Sequence, residues 1–199
     1  MGYQEQIREY IELEKSVLDK LDVDAIDQVL EMIVQTLDDE SMIYIFGNGG
    51  SAVTASHFQN DFNKGLSEGM ERKFKFCCLS DNIATVTAIA NDIGYEEVYR
   101  EQLRGRLKSR DICIAISGSG NSTNIINAVE YARELGVKVI GLSGYDGGRL
   151  KRLADVSVHV PVMSMQVTED VHMIMDHLMM SVLYKSLCGI SHIRQEGQT

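Results

Sequence analysis

The segment 42–51, MIYIFGNGGS, and the segment 112–122, ICIAISGSGNS, each join a short apolar run to a loop of glycines and small polar residues. Three further apolar runs of similar length follow at other points of the chain: FKFCCL (74–79), VKVIGL (137–142) and VSVHV (156–160). Strands that are apolar on both faces and alternate with helices are typical of a parallel sheet covered on both sides. We therefore predict a doubly wound α/β fold with a five-stranded parallel sheet.

The stretches between these runs predict the helices. Residues 1–40 carry apolar side chains at helical spacing in two segments, which predicts an N-terminal helical hairpin. The remaining helices are expected from 51 to about 66, from 82, over 95–107, over 122–135 and over 168–187, with a short DGGRL segment at 146–150. Pro161 is the single proline and no Ser/Pro-rich linker marks a boundary, so we expect one domain over residues 1–199.

Composition excludes several classes of function. The chain has 199 residues and a formal net charge of −10, which disfavours a nucleic-acid or anionic-membrane binder because phosphates would be repelled. Its apolar runs fall short of the roughly 18 residues that a membrane span needs, and its polar, acidic start lacks the features of a signal peptide. Four cysteines without CxxC spacing favour free thiols in a reducing compartment, which predicts a cytoplasmic protein.

The loops after two of the strands could bind an anion. In open parallel sheets, ligands bind beyond the carboxyl ends of the strands, where each loop leads into a helix N-terminus. We call residues 47–51 the glycine loop and residues 117–122 the serine loop. Glycines let backbone N–H groups approach an anion closely, and the hydroxyls of Ser117, Ser119 and Ser122 add uncharged donors. One such loop is typical of a simple strand-to-helix turn, whereas two in one sheet predict a phosphate site.

A dinucleotide site is the alternative interpretation of the glycine loop. Gly47, Gly49 and Ala52 fit the pattern G-x-G-x-x-A. That pattern requires an acidic residue about 20 positions further on, at the end of the next strand. The acidic residue at that strand end is Asp81, 34 positions after Gly47, so the sequence disfavours this interpretation.

Two further pairs carry groups that could take part in chemistry. His57 and Asp61 stand four positions apart on a predicted helix and therefore share one face, where such a pair can bind a divalent metal or act as a base. The alternative is a hydrogen-bonded surface pair. Asn91 and Asp92 precede Gly94 and form either a turn or ligands for substrate hydroxyls, and the sequence leaves both open.

The last predicted helix is rich in methionine and contains two histidines. Its methionines indicate core packing rather than chemistry. His172 and His177 are five positions apart and point in different directions, so we expect only one of them to be functional.

At these motifs the chain resembles the SIS (sugar isomerase) domain family, whose members bind phosphosugars, and within it the bacterial phosphoheptose isomerases. The resemblance runs through nearly the whole chain. It implies a SIS fold and the conversion of sedoheptulose 7-phosphate into D-glycero-D-manno-heptose 7-phosphate, for heptose-containing surface polysaccharides. It is carried by the helical N-terminus, the glycine loop, His57-Phe58, Ala90-Asn91-Asp92, the serine loop, Gly144 to Gly148 and Glu169 to His177.

The resemblance also implies roles for individual residues. It places sugar contacts at Asn48, Gly49, Gly50, Ser51, Asn91, Asp92 and Glu169, and phosphate contacts at Ser117, Gly118, Ser119 and Ser122. It places a metal, commonly zinc, or the acid/base pair at His57, Asp61, Glu169 and His177, and Asp61 and His177 are the candidates for that pair. It further implies a homotetramer whose active sites are shared between subunits, with neither nucleic acid nor membrane as a partner.

Two positions depart from the family pattern. Asp61 stands where the family usually has glutamate, and Glu169 stands where it usually has glutamine, so reach and charge both change. Glu169 and His177 are eight positions apart, about 12 Å along an ideal helix, which argues against joint coordination of one ion unless the helix start is irregular.

Two other functions fit the same resemblance. One is a non-enzymatic SIS-domain protein that binds the bacterial replication initiator, which would need a tetramer and an exposed protein-binding surface rather than an acid/base pair. The other is an isomerase or binding protein for a different phosphosugar. The presence of His57, Asp61 and His177 favours an enzyme.

Overall fold

The sheet is the centre of the fold. A computed structural model describes residues 2–188 and contains, within them, five parallel strands in the order β2-β1-β3-β4-β5. The predicted doubly wound α/β fold is therefore confirmed. The prediction of one domain over 1–199 stays a prediction, and residues 1 and 189–199 lie outside the described part. The strands are β1 (Ile43–Gly47), β2 (Phe76–Cys78), β3 (Ile112–Ser117), β4 (Lys138–Ser143) and β5 (Val156–His159).

Helices precede, connect and follow the strands. They are α1 (Gln4–Leu18), α2 (Val23–Asp38), α3 (Gly50–Asn60), α4 (Ile83–Asp92), α5 (Arg100–Leu103), α6 (Thr123–Glu134), α7 (Gly148–Leu153) and α8 (Met165–Cys188). The first two are the helices predicted within residues 1–40. The second of them begins at a side-chain cap, because the carboxylate of Asp22 accepts a hydrogen bond from the Ala25 N–H at 3.0 Å.

Two predicted helices are interrupted. The helix expected to reach about residue 66 is α-helical only to Asn60 and continues as a π-helical turn, Asp61–Gly65, and a 3₁₀ turn. The helix expected over 95–107 consists of a 3₁₀ turn, Tyr95–Glu97, and the short α5, and the chain beyond it turns at Gly105, whose φ is +71°. A residue with this backbone angle cannot continue a right-handed helix.

Alternate side chains of the strands enter two separate cores. On one face, residues such as Ile45 and Ile114 pack with α2, α3 and α8. On the other, residues such as Phe46 and Cys113 pack with α5, α6 and α7. The central strands β1, β3 and β4 are therefore buried on both sides, as their nearly continuous apolar sequences predict. The predicted core role of the methionines is confirmed at Met175, which is fully buried.

The strand order creates a crevice between β1 and β3. The chain leaves β1 for β2 on one side and later enters β3 on the other side of β1. The loops after β1 and β3 consequently diverge, with α3 on one face of the sheet and α6 on the other. Such a switch in strand order is where open α/β sheets bind their ligands.

Between residues 2 and 188, the structure contains no helix with the length and apolarity that a bilayer crossing requires.

Candidate active site

The glycine loop makes a tight turn into α3. A Cβ atom on Gly47 would lie 2.6 Å from the carbonyl oxygen of Ser51, so the backbone approaches too closely for any other residue. Gly49 has a φ of +55°, which favours glycine. A Cβ atom on Gly50 would lie 2.6 Å from the carboxylate of Glu169. The loop therefore brings the start of α3 directly against α8.

The serine loop is stabilised by its own hydrogen bonds. The hydroxyl of Ser117 donates to that of Ser122 at 3.4 Å, and the Asn121 N–H donates to the hydroxyl of Ser119 at 3.2 Å. The Gly120 N–H donates to the Ser117 carbonyl at 2.9 Å. These contacts fix the loop that carries the three hydroxyls at the start of α6, where backbone N–H groups favour an anion.

The two loops and α8 enclose a cavity of about 150 Å³. Its wall consists of Asn48, Ser51, Ile116, Ser117, Gly118, Ser119, Ser122, Met165 and Glu169. Seven of the residues predicted to bind substrate are among these, and Glu169 is the one charged residue in this lining. A phosphate bound here would rely on hydroxyl and backbone donors, and the Glu169 carboxylate can accept hydrogen bonds from sugar hydroxyls. A wider pocket of about 590 Å³ adjoins it and shares Asn48 and Ser122.

The side chain of Asn48 is held by an amide pair and two tyrosines. It exchanges two hydrogen bonds with the buried Asn124, at 2.9 and 2.8 Å. Its Oδ1 also accepts from the hydroxyls of Tyr95 at 3.0 Å and Tyr99 at 3.1 Å. Tyr99 in addition donates to the carbonyl of Gly47. The network fixes which way the Asn48 amide faces, so Asn124 and the tyrosines position a predicted sugar contact.

A second group of side chains lies between α3 and α8. The Nε2 atoms of His57 and His177 are 3.1 Å apart. The Oδ2 atom of Asp61 lies 3.5 Å from the first and 3.8 Å from the second. Asp176 joins them, with its Oδ2 3.9 Å from His57 Nε2. We call His57, Asp61, Asp176 and His177 the His/Asp cluster, whose four ligand atoms lie within 4.8 Å of one another.

Asp176 is the buried member of the cluster. Its side chain is fully buried, and within the described chain neither carboxylate oxygen has a hydrogen-bond partner. Burial, and to a lesser degree the charge of Asp61, raise the pKa of Asp176 to about 8. A buried carboxyl group without a partner is unfavourable unless a proton or a cation neutralises it.

The spacing of the cluster suits a divalent metal ion. Zinc binds nitrogen and oxygen ligands at about 2.0–2.1 Å in a tetrahedron, which puts neighbouring ligand atoms roughly 3.3 Å apart. The measured separations of 3.1, 3.5, 3.8 and 3.9 Å bracket this value. Imidazole and carboxylate groups are also ligands that zinc accepts. The residues therefore fit a metal, and equally they place a base and an acid side by side.

Comparison with known proteins gives the family. The profile of the SIS domain matches residues 3–144. The chain belongs to the SIS domain family. Among the SIS proteins similar to it, the phosphoheptose isomerase of Leptospira biflexa is 37% identical over 188 residues, which are 94% of this chain and 96% of that protein. That of Aliarcobacter butzleri is 34% identical over 94% of both chains.

Solved SIS structures agree with this assignment. The phosphoheptose isomerase of Neisseria gonorrhoeae has a TM-score of 0.83 and 30% identity, covering 92% of this chain and 98% of its own. That of Francisella tularensis has a TM-score of 0.84 and 29% identity, covering 93% of this chain and 100% of its own. The resemblance inferred from the motifs is therefore confirmed.

The predicted site residues fall into three places in this SIS domain. Most of the positions predicted for substrate line the cavity, and three of the four positions predicted for a metal belong to the cluster. Glu169 lies in the cavity wall and outside the cluster. Asn91 and Asp92 are exposed at the end of α4, where the amide of Asn91 donates to the carboxylate of Asp92 at 2.8 Å. Neither residue lines the cavity.

Sequence reasoning missed Asp176 and Asn124. The sequence signal for Asp176 is its position next to His177, but adjacent helical residues point in directions about 100° apart, so this signal predicts no shared site. The structure brings both Asp176 and His177 to His57 because α8 packs against α3. Of the two histidines considered in α8, His177 is in the cluster and His172 is buried in the core.

Proposed function

We propose that this protein is an aldose–ketose isomerase that converts sedoheptulose 7-phosphate into D-glycero-D-manno-heptose 7-phosphate through an enediol. The observation that carries the proposal is that α3 and α8 both run from the cavity to the His/Asp cluster. Ser51 and Glu169 line the cavity, whereas His57 and His177 follow six and eight residues later, about 9 and 12 Å along the helices. An extended seven-carbon phosphosugar spans such a separation.

The cavity would hold the phosphate and the cluster would act on the other end of the sugar. Hydroxyls of the serine loop and the N–H groups at the start of α6 bind the phosphate. Asn48, held by its amide pair, and Glu169 accept or donate hydrogen bonds to the sugar hydroxyls. This binding energy, gained far from the reacting carbons, orients C1 and C2 toward the cluster.

Asp61 and His177 are the proposed acid/base pair. One of them removes the proton at C1 of the ketose, and the other returns a proton to C2, while a proton also moves between the two oxygens. The Asp61 Oδ2 and His177 Nε2 atoms are 3.8 Å apart, close enough to act on neighbouring carbons of one substrate. If the cluster holds zinc instead, His57, Asp61 and His177 would be its ligands, and the ion would polarise the carbonyl group and stabilise the enediolate. The two roles are alternatives for His177, because an Nε2 atom bound to zinc cannot also accept a proton.

Conversion of sedoheptulose 7-phosphate, followed by NMR, tests the proposal. We expect purified protein with added zinc to form the aldose, and Asp61→Asn and His177→Ala to lower turnover by about 10²–10⁴-fold. Asp27→Asn, an exposed aspartate of α2, is the matched control and should keep wild-type turnover. Absence of product from the wild-type protein, or full activity of both cluster variants, would contradict the proposal. The first outcome would favour a different phosphosugar or the non-enzymatic alternative, which needs no acid/base pair.

We infer that the chain assembles into a homotetramer with shared active sites. The support is a group of exposed apolar side chains on α1, Ile7, Tyr10, Ile11 and Leu13, whose contact with water is unfavourable. Light scattering should give four times the mass of the chain, and Ile7→Glu with Ile11→Glu should reduce it. A wild-type monomer would contradict the inference.

The cysteines at 77, 78, 113 and 188 are all free, which supports the proposed cytoplasmic location.

A further inference from the structure

We propose that His159 is a positioning residue for phosphate binding, because its ring holds the loop against which the serine loop rests. That loop consists of residues 144–148, which follow β4 and which we call the support loop. His159 is the last residue of β5 and belongs neither to the cavity lining nor to the His/Asp cluster. The proposal rests on the proposed function in taking the serine loop as the phosphate site.

Backbone hydrogen bonds join the support loop to the serine loop. The Gly144 N–H donates to the Gly118 carbonyl, and the Leu150 N–H, just after the support loop, donates to the Gly120 carbonyl, both at 2.9 Å. A Cβ atom on Gly144 would lie 3.0 Å from the same Gly118 carbonyl oxygen, so the two backbones are in close contact. Gly118 lines the cavity. A displacement of the support loop would therefore also move the wall of the phosphate site.

Tyr145 is the residue of the support loop whose backbone depends on neighbouring contacts. Its φ is +51°, in the left-handed region, which residues other than glycine rarely occupy and which persists where the surrounding structure holds it. The Tyr145 N–H donates to the Val162 carbonyl at 3.1 Å, and the Tyr145 carbonyl oxygen lies 3.1 Å from Nε2 of His159. The first contact joins two backbone groups, whereas the second depends on the His159 ring.

The partners of His159 determine which of its ring nitrogens carries the proton. Nζ of Lys151 lies 3.1 Å from Nδ1 of the ring, and an ammonium group can only donate hydrogen bonds. Nδ1 therefore accepts, and Nε2 carries the hydrogen that is donated to the Tyr145 carbonyl, which can only accept. The imidazole is consequently neutral, and Lys151 on α7 favours the tautomer that holds Tyr145 in place.

Steady-state kinetics of two variants test the positioning role. His159→Phe keeps an aromatic ring but removes the donor, whereas His159→Gln keeps an amide that can donate to the Tyr145 carbonyl and accept from Lys151. We expect His159→Phe to raise KM for sedoheptulose 7-phosphate by about 3–10-fold with kcat within about twofold of wild type, and His159→Gln to keep both constants within about twofold. An unchanged KM in His159→Phe, or an equal rise of KM in both variants, would overturn the proposal.

The tautomer of His159 provides a test on the wild-type protein that does not depend on how a variant folds. In protein labelled with ¹⁵N-histidine, protonated and unprotonated ring nitrogens have well-separated NMR shifts. We expect the ring that contacts Lys151 and Tyr145 to carry its proton on Nε2 at neutral pH. A proton on Nδ1, alone or together with one on Nε2, would overturn the proposal.

Binding of inorganic phosphate, measured by titration calorimetry, separates this proposal from the proposed function. We expect His159→Phe to bind phosphate about 3–10-fold more weakly than the wild type. If this loss is observed and the wild type does not isomerise the heptulose phosphate, the isomerase alone is contradicted. If the wild type isomerises the sugar and His159→Phe binds phosphate as tightly as the wild type, the positioning role alone is contradicted.

Discussion

Substitution of Gly120 by alanine tests how the serine loop is held against its neighbour. Gly120 has a φ of +64°, and a Cβ atom there would lie 2.1 Å from the carbonyl oxygen of Gly147. Ordinary van der Waals contact begins at 3.4 Å, so one backbone segment would have to move by about 1.3 Å. The Gly120 carbonyl accepts a hydrogen bond from the Leu150 N–H at 2.9 Å, which this movement would stretch.

The expected loss of stability has two parts. Alanine in the left-handed region costs about 1–2 kcal/mol, and overpacking costs about 1–3 kcal/mol, so Gly120→Ala should lower the free energy of unfolding by about 2–5 kcal/mol. Displacement of the loop should also weaken binding of the substrate phosphate and raise KM. The measurements are urea denaturation and isomerase kinetics at varied substrate concentration.

Gly136→Ala is the matched control. Gly136 follows α6 with a φ of +72°, and in the described structure no heavy atom lies within 4 Å of the position of its Cβ. This variant should lose only the conformational part, about 1–2 kcal/mol, and keep its KM. Equal destabilisation of the two variants would refute the steric argument, and so would an unchanged KM in Gly120→Ala.

Three further outcomes are expected from individual polar side chains. Burial lowers the pKa of His172 to about 4, so between pH 6.5 and 4 the unfolded chain binds a proton that the folded chain does not. Stability should therefore fall by about 1.4 kcal/mol per pH unit on acidification through this range, and urea titrations of His172→Leu should lack this component. Burial raises the pKa of Asp155, but hydrogen bonds from the Lys138 side chain and the backbone outweigh it, so the net pKa is lowered. Its stabilisation is present above its unfolded-state pKa and is lost as pH falls through the folded value, so Asp155→Asn should be less stable than wild type at pH 7 and equal to it at pH 2. Asn124→Ala should lower kcat/KM by roughly tenfold because the Asn48 amide loses its partner, and unchanged kinetics would contradict this role.

The sequence predicts the central strands well because their pattern is local. Strand β3 is observed at the predicted residues 112–117, since five apolar residues stand between a charged segment and Ser117, the first residue of the serine loop. Strand β2 is shorter than the predicted 74–79, because it lies at the sheet edge and pairs with β1 alone, from Phe76 to Cys78. Where a strand's ends are set by the strands it pairs with, the local sequence pattern is insufficient to predict them.

The site was only partly predictable for the same reason. His57 and Asp61 share a face at a spacing of four, which depends on one helix alone. That His177 reaches them follows from the packing of α8 on α3, which the sequence indicates only through a family resemblance. The buried position of Asp176 depends on the same packing, and its sequence neighbours give no sign of it. The π-helical turn that begins at Asp61 was also unforeseen, since nothing in the pattern of residues 61–65 distinguishes it from an α-helix.

Around the crevice between β1 and β3, substrate binding and chemistry are proposed to depend on different backbone segments. In the proposed mechanism, anchoring of the phosphate ester depends on the turn that follows β3, whereas proton transfer depends on side chains of α8, of α3 and of the π-helical turn after α3. Replacement of the histidines would therefore leave a domain that still captures sugar phosphates and leaves them unchanged. A scaffold divided in this way can evolve from enzyme into metabolite sensor through a few substitutions, without rebuilding its anchor.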